Sequence, residues 1–201
     1  MTQDPIHLGH LMSAIAHDLR TPLATIYGFA KTIERGGGLD ERQERFLGLI
    51  IAAAADMDRM IENVSTIGHV AEGRLAVENT PVTTSQLAVA AQEAIPERAD
   101  GRRVVVRPGA GATVDTDADR AARAVALVAE AALRLEPSRQ EAYLQPDGAT
   151  IRTGPFSEVL LPGLEAHGRD VPVETARIML AHLGATLVTE GEELVVRFGG
   201  N

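Results

Sequence analysis

The run His17-Asp18-Leu19-Arg20-Thr21-Pro22-Leu23 brings together the side chains of this chain best suited to chemistry. A neutral imidazole nitrogen is a nucleophile near pH 7. Asp18, directly next to it, can hold the imidazole in one tautomer and raise the basicity of the other ring nitrogen. Thr21 stands one helical turn further on, on the same face as His17, where its hydroxyl can align a water against a phosphoryl group. Pro22 removes a backbone donor beside these groups and loosens or bends the helix there. A solitary helical histidine is ordinarily a solvated or packed residue. Here the adjacent carboxylate, the hydroxyl on the same face and a position off the apolar stripe argue for a reactive one.

Other candidates carry less. His7 and His10 lie three apart but have no evident third ligand, so they read as a solvated helix start with no metal site. His167 sits among glycines without a serine or cysteine partner motif. Asp56, Asp58 and Glu62 read as the solvated face of a helix. Pro108-Gly109-Ala110-Gly111 lacks the Lys-Ser/Thr of a phosphate loop and reads as a hairpin turn.

The element that carries His17 is a long helix, from residue 5 to about 35. Leu8, Met12, Ile15, Leu19, Leu23 (or Pro22), Ile26, Ala30 and Ile33 recur at steps of three and four, a heptad stripe from which His17 points away. Gly36-Gly37-Gly38 ends it. Asp40, with Gln43 three residues later, predicts a capping box for a second helix. That helix has its own stripe through Phe46, Ile50, Ala53, Met57, Ile61, Val64 and Ile67. The two helices predict an antiparallel hairpin with a seam of ~40 Å at ~1.5 Å per residue, too long to cover itself. A second copy is the natural partner, giving a homodimeric four-helix bundle.

Beyond Ala71-Glu72-Gly73-Arg74 the pattern changes. Leu75-Ala76-Val77, Arg103-Val104-Val105-Val106, Thr113-Val114, Ala149-Thr150-Ile151 and Val159-Leu160-Leu161 are strand-like. Helices are predicted from Thr84 or Ser85 to Ile95, from Asp117 to about Leu135 and from Pro172 to about Leu183. A last hairpin pairs Ala185–Val188 with Leu194–Arg197 across Glu190-Gly191-Glu192. The fold class is α+β: a helical hairpin over 1–72, a linker over 73–80, and over 81–201 an α/β sandwich with helices on one face of a mixed sheet.

Bulk composition bounds the partners. The 201 residues carry a net charge of -9 and only 3% aromatics, with no Trp, which argues against nucleic acid, whose binding needs cations and stacking platforms. Apolar residues make up 45%, enough for a core. There is no cysteine, hence no disulfide or thiolate chemistry. No stretch is long and apolar enough to span a membrane and no signal peptide is evident, so the expected location is the cytoplasm, without membrane partners.

His17-Asp18-Leu19-Arg20-Thr21-Pro22-Leu23 resembles the H-box of the dimerisation and histidine phosphotransfer domain of sensor histidine kinases. The likeness continues through Gly28, the second helix and the exit Ile67–Leu75 to Pro81-Val82-Thr83. It implies that His17 accepts phosphate, that Asp18 assists proton removal and that Thr21 supports dephosphorylation of a partner. Arg20 matches the motif arginine, near the phosphate. The second half resembles that family's ATP-binding domain with its catalytic pieces missing. Asp117-Ala118-Asp119-Arg120 leads a helix in which Leu127 and Ala131 stand at the two positions expected to be asparagine. Glu130 beside the lost position reads as a solvated glutamate. Ile151-Arg152-Thr153-Gly154-Pro155 replaces the adenine-binding Asp-x-Gly-x-Gly box, and Gly163 and Gly168 form no Gly-x-Gly loop. Pro172–Leu187 resembles the closing helix and turn, with His182 structural.

The expectation is therefore a degenerate domain without ATP binding behind an intact H-box. The protein is expected to act as a histidine phosphotransferase in a phosphorelay. It would exchange phosphate between His17 and response-regulator receiver domains, with an upstream hybrid kinase as a further partner. Ala24, Thr25, Gly28 and Lys31, on the face of His17 and Thr21, form the expected docking surface. No cofactor is expected to be tightly bound, and magnesium is expected on the receiver. The alternatives are a sensor kinase with atypical ATP binding, and a non-catalytic pseudokinase scaffold or phosphatase acting on a regulator.

Overall fold

The computed structural model describes residues 5–96, 100–157 and 170–199. Val159-Leu160-Leu161, Gly163, His167 and Gly168 lie outside the described residues. The chain forms two compact units that divide between Leu75 and Ala76.

The first unit is a hairpin of α1 (Pro5–Gly36) and α2 (Glu41–Ala71). α1 runs unbroken through Pro22, although a proline there cannot donate to the Asp18 carbonyl. Gly37 and Gly38 make the turn at φ 64° and 74°, which other residues adopt only at a cost. Asp40 then caps α2 with a reciprocal box: its carboxylate accepts the Gln43 N–H at 2.8 Å, and the Gln43 carboxamide oxygen accepts the Asp40 N–H at 2.9 Å.

The two helices meet along a narrower row than the stripes predict. Gly9, Ala16, Leu23 and Ala30 on α1 are buried, as are Leu47, Ala54, Ile61 and Gly68 on α2. Both rows step by seven residues, which an α-helix places nearly in line. Leu23, Ala30 and Ile61 thus belong to these inner rows and not to the stripes assigned from periodicity. The stripes proper run through Met12, Ile15, Leu19, Ile26, Phe29 and Ile33, and through Phe46, Ile50, Ala53, Met57, Met60 and Val64. Most of those side chains are exposed.

The first strand of the second unit is β1 (Thr80–Thr83), and Leu75–Val77, expected to be strand-like, forms no strand. β1 pairs with β3 (Thr113–Thr116) in a two-stranded sheet, and α3 (Thr84–Ala94) follows β1 directly. β2 (Arg103–Val106), β4 (Glu141–Asp147), β5 (Thr150–Gly154), β6 (Ala185–Glu190) and β7 (Glu193–Phe198) form a mixed sheet of order β2-β4-β5-β7-β6. Only β2 and β4 are parallel. Residues 108–111 are therefore not a hairpin turn, since β2 and β3 lie in different sheets. They form a crossover that packs closely: a Cβ on Gly109 would stand 1.9 Å from the Pro146 carbonyl oxygen. β4 escapes detection from sequence because Pro146 reads as a strand breaker. In the fold Pro146 lies beyond the last residue paired with β2, so its missing N–H breaks no ladder there.

Helices α3, α4 (Ala118–Leu135) and α5 (Val171–His182) share one core with Leu144, Ile151, Leu194 and Val196 of the sheet. The alternate residues face the other way. There the Arg107 guanidinium lies 3.6 Å from the centre of the Tyr143 ring, and Arg152 bonds Glu190 at 2.9 Å and Glu193 at 3.1 Å. These charged pairs cover the open face of the sheet.

Candidate functional site

Successive residues of α1 turn by about 100°. His17 therefore lies about 100° to one side of the buried row, and the unpartnered apolar stripe lies about 60–100° to the other. The imidazole stands on the opposite side of the helix from the stripe, with its side chain 81% exposed. Its Nδ1 is 3.3 Å from Asp18 Oδ1, and Asp18 is equally open. With Nδ1 protonated and donating to the carboxylate, the lone pair of Nε2 faces solvent.

Arg20, Thr21, Ala24 and Thr25 join His17 in lining a shallow depression on this face. All five residues come from one helix, at spacings of one and two turns. Thr25 Oγ1 donates back to the Thr21 carbonyl at 3.1 Å, and the Thr21 side chain, one turn beyond His17, is exposed. Above the depression the surface stays low, because a Cβ on Gly28 would meet nothing within 4 Å. Lys31 is drawn away along the helix. Its Nζ donates to Glu34 Oε2 at 2.8 Å and sits 5.9 Å from the centre of the Tyr27 ring. The bond to Glu34 raises its pKa. Tyr27 and Glu34 are thus the partners of Lys31, at spacings of four and three residues that are readable in the sequence.

In the second unit α4 presents a different environment. Ala131 is fully buried and Leu127 packs against the core. Glu130 is half-buried. Phe156, two residues beyond Gly154, is also fully buried and is the largest side chain so enclosed among the described residues. At the start of α4, burial works to raise the pKa of Asp117. The backbone N–H groups of Arg120 and Glu78 and the Arg120 guanidinium outweigh it and hold the carboxyl below its ordinary value. Asp117 is therefore an ionised helix cap. Among the described residues no group of three or more His, Asp or Glu side chains is arranged to hold a metal. No helix there is long and apolar enough to cross a membrane.

Residues 7–72 match the family His Kinase A (phospho-acceptor) domain. Sensor protein DivL of Caulobacter vibrioides is 34% identical over 79 residues, which cover 39% of this chain and 10% of DivL. The chain thus spans about a tenth of the length of that relative. In fold it is similar to full-length ShkA, solved in complex with AMPPNP. The TM-score is 0.65 at 15% identity, over 96% of this chain and 47% of ShkA. It is also similar to histidine kinase ThkA, solved with response regulator protein TrrA, with a TM-score of 0.55 at 13% identity over 95% of this chain and 60% of ThkA. The hairpin, with its exposed histidine, is thus the part of the chain that is similar to a His Kinase A (phospho-acceptor) domain, and the rest of the chain shares the fold of these histidine kinase structures.

Proposed function

We propose that this protein is a homodimeric histidine phosphotransferase, which carries phosphate on His17, exchanges it with receiver-domain aspartates and takes none from ATP. The observation that carries the reading is the His17–Asp18 pair, open to a partner and held with Nδ1 toward the carboxylate. Nε2 attacks the phosphorus of an aspartyl phosphate. The N–P bond forms as the P–O bond to the receiver breaks, and the receiver's carboxylate departs with the electron pair. Asp18 balances the charge that develops on the imidazole. Onward delivery to a second receiver is the same step reversed. Thr21 lies where a hydroxyl can place a water for hydrolysis, and Arg20 where a cation meets the phosphoryl oxygens. Ala24, Thr25 and Gly28 keep the surface low enough for a receiver helix to approach, with Lys31 at its margin. Magnesium is assigned to the receiver.

The absence of an ATP step rests on the side chains of α4. A carboxamide pair there would reach magnesium and phosphates. Leu127 and Ala131 offer neither donor nor acceptor, and both pack into the core. The stripes of α1 and α2 support the homodimer. Because the helices are antiparallel, both stripes fall on the same side of the hairpin and make one apolar face away from His17. The expected site of action is the cytoplasm.

A second reading, a sensor kinase with atypical ATP binding, is favoured by the fold likeness to ShkA along nearly the whole chain. One experiment separates the readings. The protein is mixed with phosphorylated receiver domains and, separately, with ATP labelled at the γ-phosphate. Transfer of label from a receiver to His17, lost in His17→Ala, with no label from ATP, is the expected result. Strong label from ATP at His17 overturns it in favour of the kinase. No transfer from any receiver of the source organism, with His17→Ala indistinguishable in cells, leaves the scaffold.

A further inference from the structure

A buried carboxylate holds the base of the hairpin. Glu72 caps the C-terminus of α2, yet its side chain is only 2% exposed. Oε1 accepts a hydrogen bond from Ser13 Oγ of α1 at 2.6 Å. Oε2 binds Arg74 Nε, and His10 Nε2 stands 3.9 Å from it. One carboxylate therefore joins α1, the end of α2 and the segment that leaves it.

The carbonyl dipoles at a helix C-terminus disfavour an anion there, so the charge depends on these partners. The bonds from Arg74 and Ser13 hold its pKa down at about 2. The backbones are also close at this level. A Cβ on Gly68 would stand 2.5 Å from Ser13 Oγ and 3.0 Å from the Gly9 carbonyl oxygen. Directly after Glu72 the chain turns at Gly73, with φ at 66°, and the Arg74 N–H donates to the His69 carbonyl at 2.9 Å.

We propose that Ser13, Glu72 and Arg74 form a latch that couples the first turns of α1 to the exit segment, residues 73–75. Removing either partner leaves a buried anion short of a charge-assisted bond, so the two contacts open together. A displacement of α1 at Ser13, one turn before His17, then reaches the exit segment instead of being absorbed within the hairpin. The latch operates whichever reading of His17 holds.

Limited trypsin digestion of the full chain, followed by mass spectrometry, tests the coupling. Cleavage after Arg74 reads release of the exit segment, and cleavage after Arg59 reads opening of α2 as a whole. Ser13→Ala keeps both members of the Glu72–Arg74 pair and removes only the bond from α1. It is expected to raise cleavage after Arg74 by roughly tenfold, with cleavage after Arg59 unchanged, and Glu72→Gln is expected to do the same. A wild-type rate in Ser13→Ala overturns the latch whatever Glu72→Gln does, because the ion pair is then purely local. A rise after Arg59 matching that after Arg74 also overturns it, since both would report general loss of the hairpin.

Discussion

At the scale of single residues, neighbours decide what a carboxylate does. Asp18 and Glu72 both lie near a histidine, but Asp18 is open to solvent and Glu72 is enclosed with Ser13 and Arg74. The bonds from Arg74 and Ser13 put the pKa of Glu72 at about 2, below its ordinary value of 4.5. A depressed folded-state pKa stabilises the fold above the unfolded-state value, and the gain disappears as pH falls through the folded-state value. The helical melting temperature of the wild type should therefore exceed that of Glu72→Gln at pH 5 and above. The gap should close between about pH 4.5 and pH 2 and be absent below; a constant gap across that range would assign the effect to packing. His17, Asp18 and Thr21 were legible in the sequence because their relations are local, one and four residues apart. The Ser13–Glu72 bond, 59 residues apart, was not.

At the scale of elements, the same residue type has opposite roles on the two helices. Gly28 has open space where a side chain would stand, whereas Gly68 faces Ser13 and the Gly9 carbonyl. Gly28→Ala should raise hairpin stability by about 0.5–1 kcal/mol through helix propensity, while slowing transfer from a receiver by roughening the docking face. Gly68→Ala should lower stability by about 1–3 kcal/mol by forcing the helices apart. Denaturant midpoints and a receiver-transfer assay check both, and equal effects of the two substitutions would contradict this packing. Sequence alone cannot separate these glycines, since each lies inside an amphipathic pattern. The capping box at Asp40 and Gln43 was legible, because it is built within four residues.

For the whole molecule, the hairpin leaves an exposed apolar face and the sheet does not. Ile15, Leu19, Ile26 and Phe29 of α1 and Ile50 and Met57 of α2 stay between 46% and 67% exposed, whereas the open face of the sheet is closed over by Arg107, Arg152 and their partners. Ile15→Glu combined with Ile26→Glu should convert a dimer to a monomer in sedimentation equilibrium while helix content is largely retained; a wild type already monomeric at micromolar concentration would refute the proposed bundle. The hairpin, its turn, its caps and the H-box were determined by the sequence, because heptad spacing, a glycine turn and neighbouring side chains all act over a few residues. The tertiary structure decided which apolar row each helix buries, that Arg103–Val106 and Thr113–Thr116 part into different sheets, and that β4 runs through Pro146. It also decided that Glu72 is enclosed. Each of these depends on partners brought together from distant parts of the chain, and a local pattern is compatible with more than one such partner.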